Sequence, residues 1–118
     1  MNGIIVAMGG AIGAVLRYLI GLLPLNPQSG FPLKTFCINV VGAFVIGLVA
    51  ALSARASLNP RATLFLKVGI CGGFTTFSSF ALETETLLGK GNQTIALLYV
   101  VSSLVCGVLA VAVAESLV

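Results

Sequence analysis

Three short clusters of turn-forming residues cut an otherwise apolar sequence into four runs, each long enough to cross a bilayer. The first cluster holds Pro24, Asn26, Pro27, Ser29, Gly30 and Pro32. The second runs over residues 53–61 with Asn59 and Pro60, and the third holds Gly89, Lys90, Gly91 and Asn92. Such clusters end helices and mark loops. Between them lie apolar runs at about residues 3–23, 33–53, 62–88 and 94–117. A helix needs ~20 apolar residues to span the ~30 Å hydrocarbon core. A soluble domain of this size carries roughly a quarter of its residues as charged groups, whereas only 8% are charged here and 58% are hydrophobic. Lipid must be the solvent. The sequence therefore predicts an all-α membrane protein of four transmembrane helices, a single domain over residues 1–118, with only short loops.

The remaining composition narrows the chemistry. There is no histidine. Cys37, Cys71 and Cys106 lie in apolar stretches at spacings that fit no zinc or disulfide pattern, so they read as small buried residues. The first run lacks a basic lead-in and a small-residue cleavage pattern before Pro24, and reads as a retained span. No nucleophile has a plausible base and no pair of buried carboxylates stands ready, so an enzyme is not expected. Neither is a nucleic-acid partner.

Polar and small residues inside the runs carry the rest of the signal. In the first run Gly9 and Gly13 form a GxxxG pattern, with Gly10 and Ala14 beside it, leaving a flat stripe for close helix approach. Arg17 sits late in that span, where a charge must snorkel or face a polar cavity. Asn39 is the strongly polar residue of the second run. The third run is too long for one straight crossing, and its middle reads GICGGFTTFSSF over residues 69–80. Adjacent glycines followed by hydroxyl-bearing residues make a poor uninterrupted helix. A break is expected near residues 72–79, and irregular backbone at membrane depth needs protein or a water-filled cavity around it. The break is a candidate ion site.

Orientation is weakly specified. With four spans, Arg55, Arg61 and Lys67 fall toward one side, and Arg17, Lys34 and Lys90 toward the other. The positive-inside rule requires an imbalance of Lys and Arg, and this distribution supplies none. Insertion in both directions is allowed, which suits a protein that pairs antiparallel with itself.

Three blocks in this order and spacing resemble the Fluc/CrcB family of fluoride channels: GGAIGAVLRY (residues 9–18), NVVGAFVIG (39–47) and GICGGFTTFSSF (69–80). The likeness covers essentially the whole chain. It implies an antiparallel, dual-topology dimer of four-helix subunits with the third helix broken mid-membrane. It implies a channel that exports fluoride passively across a prokaryotic cell membrane and so lowers its toxicity inside. Two pores and a structural sodium ion (Na+) at the dimer centre belong to the same picture. By position, the sodium would be held by backbone carbonyls of Gly72 and Thr75. The aromatic ion path would use Phe77 and Phe80, the pore amide would be Asn39, and the first-span arginine Arg17. The partner implied is a second copy of the chain, with a paralogous subunit as the other option.

The residues fit that picture in their own chemistry. Fluoride is small and strongly hydrated, so a pore must replace its water with donors. Asn39 offers an amide, and Thr76, Ser78, Ser79 and Ser103 offer hydroxyls. Phe77 and Phe80 share a helix face and can turn electropositive edges to an anion. Donors of this kind give shallow binding, which conduction requires. Residue chemistry alone argues for a small, hard anion; fluoride comes from the resemblance. No acidic residue is expected along the path, with Glu83, Glu85 and Glu115 placed near span ends within reach of water. In one respect the chain departs from the family pattern. Aligned on the turn at residues 91–92, the polar track of the fourth helix falls on Ser103 and then on Gly107 and Val111, which lack hydroxyls; Ser102 or Tyr99 could stand in. Rival readings are a small multidrug-type cation transporter and a non-conducting assembly subunit. The first needs a buried carboxylate that the first two runs lack. The second explains the GxxxG pattern but not the hydroxyl-rich break.

Overall fold

A computed structural model of the chain describes residues 1–55 and 57–118. Helix α1 spans Asn2–Gly21, α2 spans Leu33–Ala54, α3 spans Pro60–Gly89 with an interruption, and α4 spans Gln93–Ser116. All four are long and apolar enough to cross a membrane. The molecule measures 48 × 29 × 20 Å, and its long axis matches the ~40–45 Å of a bilayer with its headgroups. Ala56, which the sequence places in the second loop, lies outside the described residues.

The helix ends follow local chemistry. Asn59 caps α3: its side-chain oxygen accepts the Ala62 N–H at 2.8 Å, and Pro60 occupies the first turn, where a missing N–H costs nothing. This starts α3 two residues before the apolar run suggests. At the other end of the bundle, the Lys34 ammonium donates to the Gly21 carbonyl at 2.8 Å. A cation there offsets the negative end of the α1 dipole and ties the first loop across α1 and α2.

Packing follows the small residues. Helix α1 lies against the first half of α3, α2 packs most extensively on α4, and the second half of α3 rests on α4. The α1 contact is backbone on backbone. A Cβ on Gly9 would lie 2.9 Å from the Gly69 Cα, and one on Gly13 would strike the Ile70 carbonyl. The GxxxG stripe is therefore used inside the subunit. Along this contact, Leu64–Cys71 is wound as a π-helix, a rare form often found at functional sites. Nothing in the residue pattern announces it. Large apolar side chains cover the outside, among them Leu82, Val108 and Leu109, as expected where lipid is the solvent. The small enclosed cluster of Leu87, Ala96 and Tyr99, backed by Phe31, Phe36 and Phe80, fixes the second half of α3 against α4 and the first loop.

Candidate ion-conduction site

The interruption of α3 is two residues long. Thr75 (φ −80°, ψ 157°) and Thr76 (φ −149°, ψ 118°) are both extended, between the short helical stretch Gly72–Phe74 and the helix Phe77–Gly89. Two glycines and two β-branched residues lower the helical preference here. Other groups then take over the freed backbone bonds. The Thr76 N–H donates to the Asn39 side-chain oxygen at 2.9 Å, and the Asn39 amide donates back to the Thr76 carbonyl at 3.1 Å. The Thr76 hydroxyl accepts the Ser79 N–H at 3.1 Å and so caps the second half of α3.

These substitutions leave particular carbonyls short of donors. In an unbroken helix the Gly72 carbonyl would receive the Thr76 N–H, and the Thr75 carbonyl the Ser79 N–H. Both N–H groups are committed elsewhere. The Gly73 carbonyl instead accepts from the Arg17 guanidinium at 3.3 Å. That places a positive charge at the negative end of a half-helix and gives the intramembrane arginine a polar partner.

Cavities lie on both sides of the break. One, of about 290 Å³, is lined by Asn39, Thr75, Phe77, Phe80 and Ser103, with Gly107 at its edge. The other, of about 430 Å³, is lined by Arg17, Asn26, Lys34, Ser79 and Glu83. Thr76 lines both. Arg17 and Lys34 outnumber the single carboxylate of Glu83 and leave the second cavity net positive, and the first offers donors and aromatic rings. Phe77 and Phe80 lie 5.9 Å apart at 47°, and Phe80 lies 5.0 Å from Tyr99. The Ser103 hydroxyl is buried with no protein hydrogen-bond partner among the described residues. A buried group left in that state costs ~1–3 kcal/mol.

Of the residues singled out from the sequence for the ion path, Asn39, Phe77, Phe80 and Ser103 border the first cavity, Arg17 and Ser79 the second, and Thr76 both, while Ser78 borders neither and its hydroxyl pairs with that of Thr76 at 3.3 Å. Two expectations need correction. Glu83 does line the polar cavity. Its carboxylate accepts from the Thr35 hydroxyl at 2.9 Å and from the Tyr99 hydroxyl at 3.0 Å, because the second half of α3 turns this residue inward, one turn beyond Phe80. Val111 does not continue the α4 track. It packs its backbone against Gly47 of α2, and the cavity face of α4 carries Ser103 and Gly107, with Tyr99 one turn before them. Thr35, Glu83 and Tyr99 had a readable signal: Thr35 is four residues before Asn39, Glu83 three after Phe80, and Tyr99 four before Ser103, so each shares a helix face with a residue already chosen.

A bundle of four apolar spans, one of them broken between two cavities, defines a multi-pass membrane protein. The chain belongs to the CrcB family, described as "CrcB-like protein, Camphor Resistance (CrcB)", which it matches over residues 4–114. It is 48% identical over 105 residues to the "Fluoride-specific ion channel FluC" of Thermus thermophilus, covering 88% of this chain and 84% of that one. Proteins of the same name from Novosphingobium aromaticivorans (47% over 106 residues, 87% and 84% covered) and Agrobacterium fabrum (44% over 115 residues, 94% and 90% covered) are similar to it.

Proposed function

We propose that this chain forms a fluoride-selective channel that lets fluoride leave the cell passively. The observation that carries the reading is the Asn39–Thr76 junction. It stands between a cavity containing Arg17 and Lys34 and one lined by Phe77, Phe80 and Ser103. A hydrated anion is first gathered by the two cations. It then exchanges water for the hydroxyls of Ser79 and Thr76, the Ser103 hydroxyl, and the second N–H of Asn39, since one N–H already serves Thr76. The phenylalanine edges carry it onward without a full positive charge that would trap it. The shared name of the relatives points to the same cargo.

The working unit is an antiparallel, dual-topology homodimer in a prokaryotic plasma membrane. Phe77 is 79% exposed and Gly72 is also exposed, and both become useful when a second subunit covers them. Near-equal Lys and Arg content on the two sides is compatible with both insertions. A sodium ion at the two-fold axis fits the donor set, because the Gly72 and Thr75 carbonyls lack their helical N–H partners and neutral oxygens suit a hard cation. When bound, that ion offsets the cost of the broken helices; its part is structural.

The test is efflux from liposomes containing only the purified chain, followed with a fluoride electrode and repeated with chloride. Rapid fluoride release with little chloride leak supports the reading. Silence for fluoride in well-folded, dimeric protein overturns it for the homodimer.

A further inference from the structure

Charges near the bilayer core are mostly claimed inside the subunit. The Arg17 guanidinium donates to the Gly73 carbonyl and the Lys34 ammonium to the Gly21 carbonyl, and the Glu83 carboxylate accepts from Thr35 and Tyr99. Lys67 and Glu85 differ. Both are exposed on α3, and neither side chain has a hydrogen-bond or ion-pair partner among the described residues. Their places on the helix are matched. Lys67 stands eight residues before Thr75 and Glu85 nine after Thr76, on either side of a break at the middle of Pro60–Gly89. At 1.5 Å per residue they lie ~12 and ~14 Å from the break. With the break at the bilayer centre, both fall just inside the ~15 Å half-thickness of the hydrocarbon core, where an unpaired charge is costly.

The two side chains reach in different directions. Helical side chains lean toward the N-terminus of their helix. Lys67, before the break, leans outward to the nearer membrane surface, while Glu85, after it, leans back toward the break and away from water. Val68 and Gly72 on one side of the break, and Phe77 and Ala81 on the other, are exposed as well. A second copy laid antiparallel across this part of α3 partners both charges at once. A two-fold contact sets residue i against residue j and j against i. With both breaks at the axis, Lys67 comes level with Glu85 of the partner subunit, the ammonium leaning outward and the carboxylate inward, toward each other. A parallel pairing would match Lys67 with Lys67 and Glu85 with Glu85.

We propose that Lys67 and Glu85 form two equivalent ion pairs between antiparallel copies of this chain, and that these pairs select the antiparallel arrangement. The proposal rests on the dimer of the reading above and gives it a contact coded in charge. A partner chain that lacks either charge leaves the opposite one unpaired, so the pairs also favour a second copy of this chain over an unlike subunit.

The test uses the full chain in liposomes, with association read by subunit counting of dye-labelled protein diluted into excess lipid. Lys67→Glu and Glu85→Lys should each weaken association about tenfold or more, since each sets like charges together. The double exchange, Lys67→Glu with Glu85→Lys, should return association to within about threefold of native. Cross-linking reads the placement. In a chain carrying Cys37→Ser, Cys71→Ala and Cys106→Ala, Lys67→Cys together with Glu85→Cys should give covalent dimers with a short bifunctional thiol reagent. Lys67→Cys alone should not, because antiparallel copies hold that position near opposite membrane surfaces. Helical circular dichroism checks the fold of each variant. A native dimer indifferent to both single reversals, or a double exchange no better than the singles, overturns the ion pairs. Cross-linking through Lys67→Cys alone, or none in the paired variant, overturns the antiparallel placement and the pairs with it. A native chain that stays monomeric overturns the dimer reading itself. Rescue and cross-linking in a dimer that passes no fluoride uphold the pairs and overturn the fluoride reading instead.

Discussion

Asn39 and Thr76 exchange two hydrogen bonds, 2.9 Å from the Thr76 N–H to the Asn39 oxygen and 3.1 Å from the Asn39 amide to the Thr76 carbonyl. A side chain on α2 thereby satisfies both backbone groups of one residue in the gap of α3, much as a strand neighbour would. The exchange fixes the gap at Thr75 and Thr76 and holds the wall between the two cavities. On the proposed reading, structure and passage depend on the same amide.

Asn39→Asp keeps the acceptor for the Thr76 N–H but sets a second oxygen against the Thr76 carbonyl. It should lower unfolding stability by ~1–3 kcal/mol and suppress fluoride efflux by at least about tenfold, since a like charge enters the path. Thermal unfolding in detergent and electrode-monitored efflux read the two effects. Native values in both would separate Asn39 from the passage.

Phe77 and Phe80 should part company on truncation. Phe77 is largely exposed in the subunit, while Phe80 stacks on Tyr99 within the enclosed cluster. Phe77→Ala is expected to reduce efflux with subunit stability nearly unchanged. Phe80→Ala should reduce efflux and also cost ~3 kcal/mol or more, because it opens a cavity in the packing. Unchanged efflux in both variants would remove the aromatic edges from the ion path.

The Gly13 position tests what the glycine stripe holds. Gly13→Leu forces a side chain into the backbone of α3 at Ile70 and Phe74, so the fold itself should fail, by at least about 3 kcal/mol. A stripe that served a contact between subunits would instead leave a folded monomer. Size-exclusion elution together with helical circular dichroism distinguishes the two.

Sodium dependence follows from the under-supplied carbonyls of Gly72 and Thr75. Purification with a bulky organic cation in place of sodium should destabilise or silence the protein, and returning sodium should restore it. Indifference to the exchange would leave those carbonyls to another partner.

Much of this architecture is legible in the residues because lipid imposes it. Apolar runs separated by Pro, Gly and Asn clusters leave few foldings open, and the stretch from Gly72 to Thr76 signals its break through helix propensity alone. What escapes the sequence depends on helix rotation and hydrogen-bond register. Glu83 looks like a residue at a span end until the second half of α3 turns it toward Thr35 and Tyr99. Counting from the loop places Val111 on the α4 track, yet the contact with Gly47 holds that residue against α2. The π-wound stretch Leu64–Cys71 has no composition of its own, since it is set by how α3 lies along the glycines of α1.

The most direct measurement is current through a planar bilayer containing this chain alone, with unequal fluoride on the two sides and chloride added later. The account predicts discrete currents that reverse at the fluoride equilibrium potential and do not move when chloride is added. A reversal potential that follows chloride, or no current from folded dimer, would contradict it.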